Sequence, residues 1–292
     1  CPPQTNRPLA IRHPQLYTPH MPPPRCIKPT KMKKHYKWMS LQIARAAWFS
    51  ALAAFVVAAT YPVNIGVIRI VIAVSVFALW VLTIILTRHI RWFSGCILAL
   101  GLLGGIILAF PGHAIDPSVL QSNYVKALTR YEGTRYVWGG ENRWGIDCSG
   151  LVRRALADAY VIVGIKTGNP LAFRSAIDIW WHDFSAKALR DQYQGRTRRI
   201  SSERSINTIT NSTLLPGDMA VTSDGIHVLT HLADSKWIEA DPGIMRVVKV
   251  TTPTDNIWFT VPVIIVRWTC LDKDSNNRIQ ASSHLRAPSP EP

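Results

Sequence analysis

A chain of 292 residues that is 48% hydrophobic carries enough apolar material for one or two packed domains, which excludes a chain disordered throughout. Its formal charge of +15 rests on only 17% charged residues, so the positive charge is concentrated and the favoured partners are anionic, lipid headgroups and wall polymers among them. No zinc-finger spacing, basic zipper or interleaved aromatic RNA motif is present, which argues against nucleic acid. Cys1, Cys26, Cys96, Cys148 and Cys270 make neither a Cys-x-x-Cys pair nor a disulfide framework, so no metal and no cofactor is expected. The chain opens on Cys1 rather than Met, as a truncated or processed chain would.

Residues 1–40 are rich in proline and basic side chains. Pro22, Pro23 and Pro24 stand in succession with Lys31, Lys33, Lys34 and Lys37 close behind, and the stretch reads as a flexible, solvated arm. Three charge-free apolar runs follow, Ala46 to Val63, Ile70 to Thr87 and Trp92 to Phe110, each long enough to cross a bilayer core. Three such runs in succession are rare in soluble cores, so residues 41–112 are expected to form a three-helix membrane anchor in contact with lipid. Trp48, Tyr61, Trp92 and Phe110 fall near run ends, where amphipathic rings favour the headgroup layer. Gly101, Gly104 and Gly105 are candidates for close helix packing, and Cys96 reads as a small buried residue.

Orientation follows from the basic residues. The lysine cluster and Arg88 with Arg91 favour the cytoplasmic side, so the N-terminus is expected inside the bacterial inner membrane. An odd number of spans then delivers everything after Phe110 to the extracytoplasmic face. Arg69, at the outer end of the second run, is the one dissenting charge and is expected to snorkel to the interface.

Residues 116–271 have the composition of a soluble domain, and 272–292 read as a disordered tail. Helices are predicted at Asn123 to Arg130 and Ile146 to Tyr160, the latter from apolar positions 151, 152, 155, 156 and 159. Strands are predicted at Met219 to Thr222, Ile226 to Leu232, Trp237 to Ala240, Met245 to Val250 and Val261 to Trp268. Helices first and strands afterwards predict an α+β domain with a helix packed on an antiparallel sheet.

Two segments carry chemistry. In Tyr136-Val-Trp-Gly-Gly followed by Gly145-Ile-Asp-Cys-Ser-Gly-Leu-Val, Cys148 opens an amphipathic helix, where the dipole and free backbone N–H groups favour a thiolate and receive an oxyanion. Downstream, Pro216-Gly-Asp-Met-Ala-Val leads through Asp224 and Gly225 to Ile226-His227-Val228, and a strand-borne histidine is suited to take the thiol proton. Glu239 on the next strand is the candidate to orient that imidazole, with Asp241 in competition, and His231 shares a strand face with His227 as a lesser candidate base. Between Tyr160 and Leu215 an insertion carries Trp180-Trp181-His182-Asp183 and Arg196, Arg198 and Arg199. It reads as a solvated surface elaboration in preference to a groove wall or a metal site.

Residues Tyr136 to Leu151 and Pro216 to Gly243 resemble the NlpC/P60 family of papain-like cysteine peptidases, in the same order of motifs. The resemblance implies Cys148 as nucleophile, His227 as base and Tyr136 as a hydroxyl that helps hold the oxyanion. It further implies Asp147 and Ser149 as contacts for the substrate's free amine, with Trp138 beside them at the substrate site. It implies hydrolysis of peptide bonds in peptidoglycan stem peptides, commonly between D-γ-glutamyl and a diamino acid. Two departures stand out: the third polar position, usually His, Asn or Gln, is Glu239, and the interval from Cys148 to His227 is longer than usual. The rival expectations are a catalytically silent wall-binding or assembly protein that retains the fold, and a wall-degrading toxin or lysis factor.

Overall fold

The structure, a computed structural model, describes residues 29–209 and 214–272. Three long helices come first: α1 (Pro29–Thr60), α2 (Gly66–Thr87) and α3 (Arg91–Ala109). Helix α1 begins inside the stretch expected as a flexible arm. The rest of that arm and the tail from residue 273 lie outside the described residues. All three are long and apolar enough to cross a membrane over Trp38–Thr60, Gly66–Thr87 and Arg91–Ala109, and few of those residues are fully buried in the protein. Cys96 is accordingly exposed on α3, not buried. Polar side chains join the helices, Trp48 Nε1 donating to Thr83 Oγ1 at 2.9 Å and Trp80 Nε1 to the Ile97 carbonyl at 3.1 Å. Of the three glycines expected to allow close packing, Gly101 does so: a Cβ there would overlap the Trp80 ring, whereas Gly104 and Gly105 face open space.

Helix α4 (Pro117–Thr129) starts six residues before its predicted boundary because Asp116 caps it, accepting from Ser118 N, and Pro117 occupies the first turn. A short hairpin follows, β1 (Glu141–Asn142) and β2 (Gly145–Ile146), and leads directly into α5 (Cys148–Thr167). Asp147 caps α5, and its apolar stripe is buried from Leu151 to Val163. Helices α6 (Pro170–Trp181) and α7 (Ala186–Arg190) then lead into strand β3 (Thr197–Glu203). The strands β4 (Met219–Thr222), β5 (Val228–Ala233), β6 (Lys236–Asp241) and β7 (Arg246–Thr251), the single-turn α8 (Ile257–Thr260) and β8 (Val263–Trp268) complete the domain.

Six strands form one antiparallel sheet in the order β3-β8-β4-β5-β6-β7. Side chains alternate between its faces. Val228, Ile238 and Val266 join Leu151, Leu156 and Tyr124 in the core beneath α4 and α5, while Leu229, Trp237 and Ile265 pack with Phe259 on the reverse face. Both faces are covered, and the central strands therefore read as nearly continuous apolar runs. Asp218 and Arg267 tie β8 to the Gly217-Asp218 turn through two buried hydrogen bonds of 2.6 and 2.8 Å.

The insertion differs from its sequence expectation. It contributes α6, which packs on α5, and the edge strand β3, paired with β8 from Thr197 opposite Trp268 to Glu203 opposite Val263. Its polar sequence hid a strand because only edge positions are available to it. The basic run is also engaged: Arg196 pairs with Asp178 at 2.7 Å and Arg198 with Asp272 at 2.6 Å.

A Cβ at Gly150, in the first turn of α5, would overlap the carbonyl oxygen of Gly140, which is backbone and cannot swing aside. Gly150→Ala is therefore expected to destabilise the domain by about 1–3 kcal/mol. A fall in melting temperature checks this, and an unchanged melting temperature contradicts it.

Candidate active site

The nucleophile candidate sits where a helix begins. Cys148 is the first residue of α5, so the unpaired N–H groups and positive end of the helix dipole converge on it. The turn is held by Asp147, whose Oδ1 accepts from Gly150 N at 2.5 Å and Ser149 Oγ at 3.0 Å, while Oδ2 accepts from Gly139 N at 2.8 Å. The Trp138-Gly139-Gly140 segment follows from this. Gly139 adopts φ +72°, a left-handed conformation suited to glycine, and a Cβ on Gly140 would collide with the Gly145 carbonyl.

His227 stands immediately before β5 and not on it. Its N–H and that of Ile226 both donate to Thr222 Oγ1, at 3.0 and 3.2 Å, while Thr222 N donates to the His227 carbonyl at 3.0 Å, and the strand starts at Val228. The His227 ring is buried and stacks on Trp258 with centroids 4.4 Å apart. Nε2 lies 2.7 Å from Glu239 Oε2, and the Cys148 Sγ approaches the carbonyl of the preceding residue, Ile226, at 3.9 Å. Burial opposes a charge on this imidazole, but its hydrogen bonds to Cys148 and Glu239, with their charges, outweigh burial and push it up to about 9. Burial also raises Glu239, against the opposing pull of His227.

Glu239 and Asp241 divide their work. Glu239 Oε2 faces His227, and its Oε1 accepts from Asn256 Nδ2 at 2.9 Å. Asp241 accepts from the same Asn256 nitrogen at 3.1 Å and caps the following turn through Gly243 N and Ile244 N. His231 has both ring nitrogens occupied, by the carbonyls of Leu215 at 3.2 Å and Asp234 at 2.8 Å, so neither is open to a substrate. Asp183 pairs with Arg153 at 2.5 Å, and His182 Nδ1 contacts the Asp178 carbonyl at 2.8 Å. Among the described residues, no group of three His, Cys, Asp or Glu side chains is arranged to hold a metal.

Burial, together with the charges of Cys148 and Asp147, raises the Tyr136 hydroxyl far above its ordinary value, so it remains a proton donor. Tyr136, Trp138, Asp147, Cys148 and Ser149 all line one groove of about 730 Å³, and the Trp138 ring is 78% exposed at its edge. Sequence reasoning missed Asn256 and Trp258, which hold Glu239 and His227. Asn256 caps the single-turn α8 that carries Trp258, between β7 and β8 and with no motif of their own, and only the closure of the sheet brings Trp258 against the imidazole and Asn256 against Glu239.

Residues 133–267 match the model of the NlpC/P60 family. The chain carries an NlpC/P60 family domain. Among solved structures it is similar to the NlpC/P60 domain of the peptidoglycan hydrolase SagA, with 23% identity over 50% of this chain and 97% of that one and a TM-score of 0.30. It is also similar to the peptidoglycan hydrolase RipB of Mycobacterium tuberculosis, with 19% identity over 56% of this chain and 76% of that one and a TM-score of 0.33. NlpC1 of Trichomonas vaginalis has 17% identity over 55% of this chain and a TM-score of 0.35, and this chain spans 48% of its length. No curated protein matches the chain. The matched segment begins just after α4, with the three apolar helices ahead of it.

Proposed function

We propose that this protein is a membrane-anchored cysteine hydrolase that cleaves peptide bonds in peptidoglycan stem peptides, of the D-γ-glutamyl–diamino acid type. The observation that carries the reading is Cys148, at a helix tip and lining an open groove, next to the buried His227 imidazole, which its interactions with Cys148 and Glu239 hold above its ordinary value against burial. Cys148 transfers its proton to His227, and the thiolate attacks the scissile carbonyl carbon. Negative charge develops on the carbonyl oxygen, where the Cys148 backbone N–H and the Tyr136 hydroxyl receive it. The imidazolium then protonates the departing amine as the C–N bond breaks, leaving a thioester on Cys148. Water, deprotonated by His227, attacks that thioester and releases the carboxylate, restoring the thiol. Asp147, Ser149 and Trp138 form the wall against which a stem peptide with a free amine rests.

The three apolar helices anchor this domain in the inner membrane with the N-terminus cytoplasmic. The domain then faces outward, on the side where peptidoglycan lies. Mass spectrometry of wall peptides digested with the full chain tests the reading. New amine ends at one defined bond, absent with Cys148→Ala, are expected. Binding of wall peptide without turnover would instead make the protein a wall-binding one that retains the fold.

A further inference from the structure

Arg69 does not snorkel. It lies in the first turn of α2, is 1% exposed, and pairs with Glu141 of the NlpC/P60 domain, Nη2 to Oε2 at 2.7 Å. Its Nη1 donates to the Trp181 carbonyl at 3.1 Å, and Asn64 Nδ2 reaches the same Glu141 oxygen at 3.2 Å. Between α1 and α2 the chain also adds a piece of strand to the domain. Glu141 N donates to the Pro62 carbonyl at 3.0 Å and Asn64 N to the Gly139 carbonyl at 3.1 Å, with a β-bridge joining Val63 and Gly140. These are the two glycines that hold the helix tip: Gly139 N donates to Asp147 Oδ2, and Asp147 N to the Gly140 carbonyl at 3.0 Å. Arg153 of α5 completes the cluster, 3.9 Å from Glu141. Val63 and Ile65 line the same groove as Cys148.

We propose that the α1–α2 loop is a working part of the peptidase site, with Arg69 as a positioning residue. Through Glu141 and the Pro62–Asn64 strand it holds the Gly139–Gly140 turn, and so Asp147 and Cys148, while Val63 and Ile65 form the anchor-side wall of the groove. Two buried opposite charges with short contacts make this a directional joint and not a loose tether. Taken with the reading of the chain as a membrane-anchored hydrolase, on which the consequence rests, the site is complete only when docked against its own anchor. Its substrate is then the stem peptide lying at the outer membrane surface, not the distal wall.

The test uses the full chain in detergent or vesicles and reads Cys148 by its rate of alkylation with iodoacetamide across pH, alongside kcat and KM for wall peptide. Arg69→Met is expected to lower kcat and the alkylation rate at neutral pH by about tenfold, as a displaced catalytic group would. Arg69→Lys is expected to recover a large part of both, and Asn64→Ala, which removes only a minor partner, to give a smaller loss in the same direction. Ile65→Asp is expected to raise KM by about tenfold, the scale of one lost apolar contact. Arg69→Met and Asn64→Ala with parental alkylation profiles and parental kcat would overturn the proposal, even if melting temperature falls. Alkylation needs no substrate, so a parent chain that cleaves nothing sinks the hydrolase reading while the alkylation profiles still decide the positioning role.

Discussion

His227→Ala is expected to reduce turnover of wall peptide on the order of a thousandfold or more, the contribution of a positioned acid and base. The imidazole has two jobs in the proposed cycle, taking the thiol proton and returning it to the leaving amine. His231, the other histidine of this region, spends both nitrogens on backbone carbonyls. The substitution also leaves the Glu239 carboxylate buried, with Asn256 Nδ2 as its remaining hydrogen-bond donor. Breaking a buried pair from one side costs about 3–5 kcal/mol, so kcat is to be measured per folded molecule, with the melting temperature beside it. Retention of a tenth or more of the parental kcat would remove His227 from the mechanism.

Glu239→Gln has a smaller expected effect on rate, roughly ten- to a hundredfold, and a distinctive effect on pH dependence. The thiolate–imidazolium pair requires a protonated His227. Because that group is raised to about 9, activity in the parent is expected to persist through neutral pH and to fall as pH rises through about 9. The same shift acts on stability. A histidine whose folded pKa lies above its ordinary 6.5 contributes stabilisation that is full below 6.5 and lost as pH rises through about 9. Glutamine retains the shape and an acceptor oxygen but removes the negative charge that holds the proton. The alkaline limb of both activity and melting temperature is therefore expected to move from about 9 towards 6.5. An unmoved limb would show that the charge of Glu239 is dispensable and that Cys148 alone holds the imidazole charged.

Cys148, His227 and Glu239 were legible because their signals are local. A helix start, a histidine at the opening of a strand and a carboxylate on the next strand each depend on a few neighbouring residues, although the histidine stands just before its strand and not on it. Asn256 and Trp258 were not, since each touches the site only after β5, β6 and β7 have paired and the chain has turned back. Strand β3 was hidden for a related reason: its polar run Thr197–Glu203 becomes a strand only because β8 offers it a free edge.

Arg69 marks the boundary most clearly. By itself the sequence determined three apolar helices, an α+β domain and a cysteine and a histidine in family order, because periodicity and capping act over short stretches of chain. Tertiary structure alone decided that the dissenting charge of the second helix meets Glu141, seventy-two residues away, and that the loop before it shares the groove with Cys148. A buried charge must find a partner, and nothing in the local chain reveals which one folding will bring.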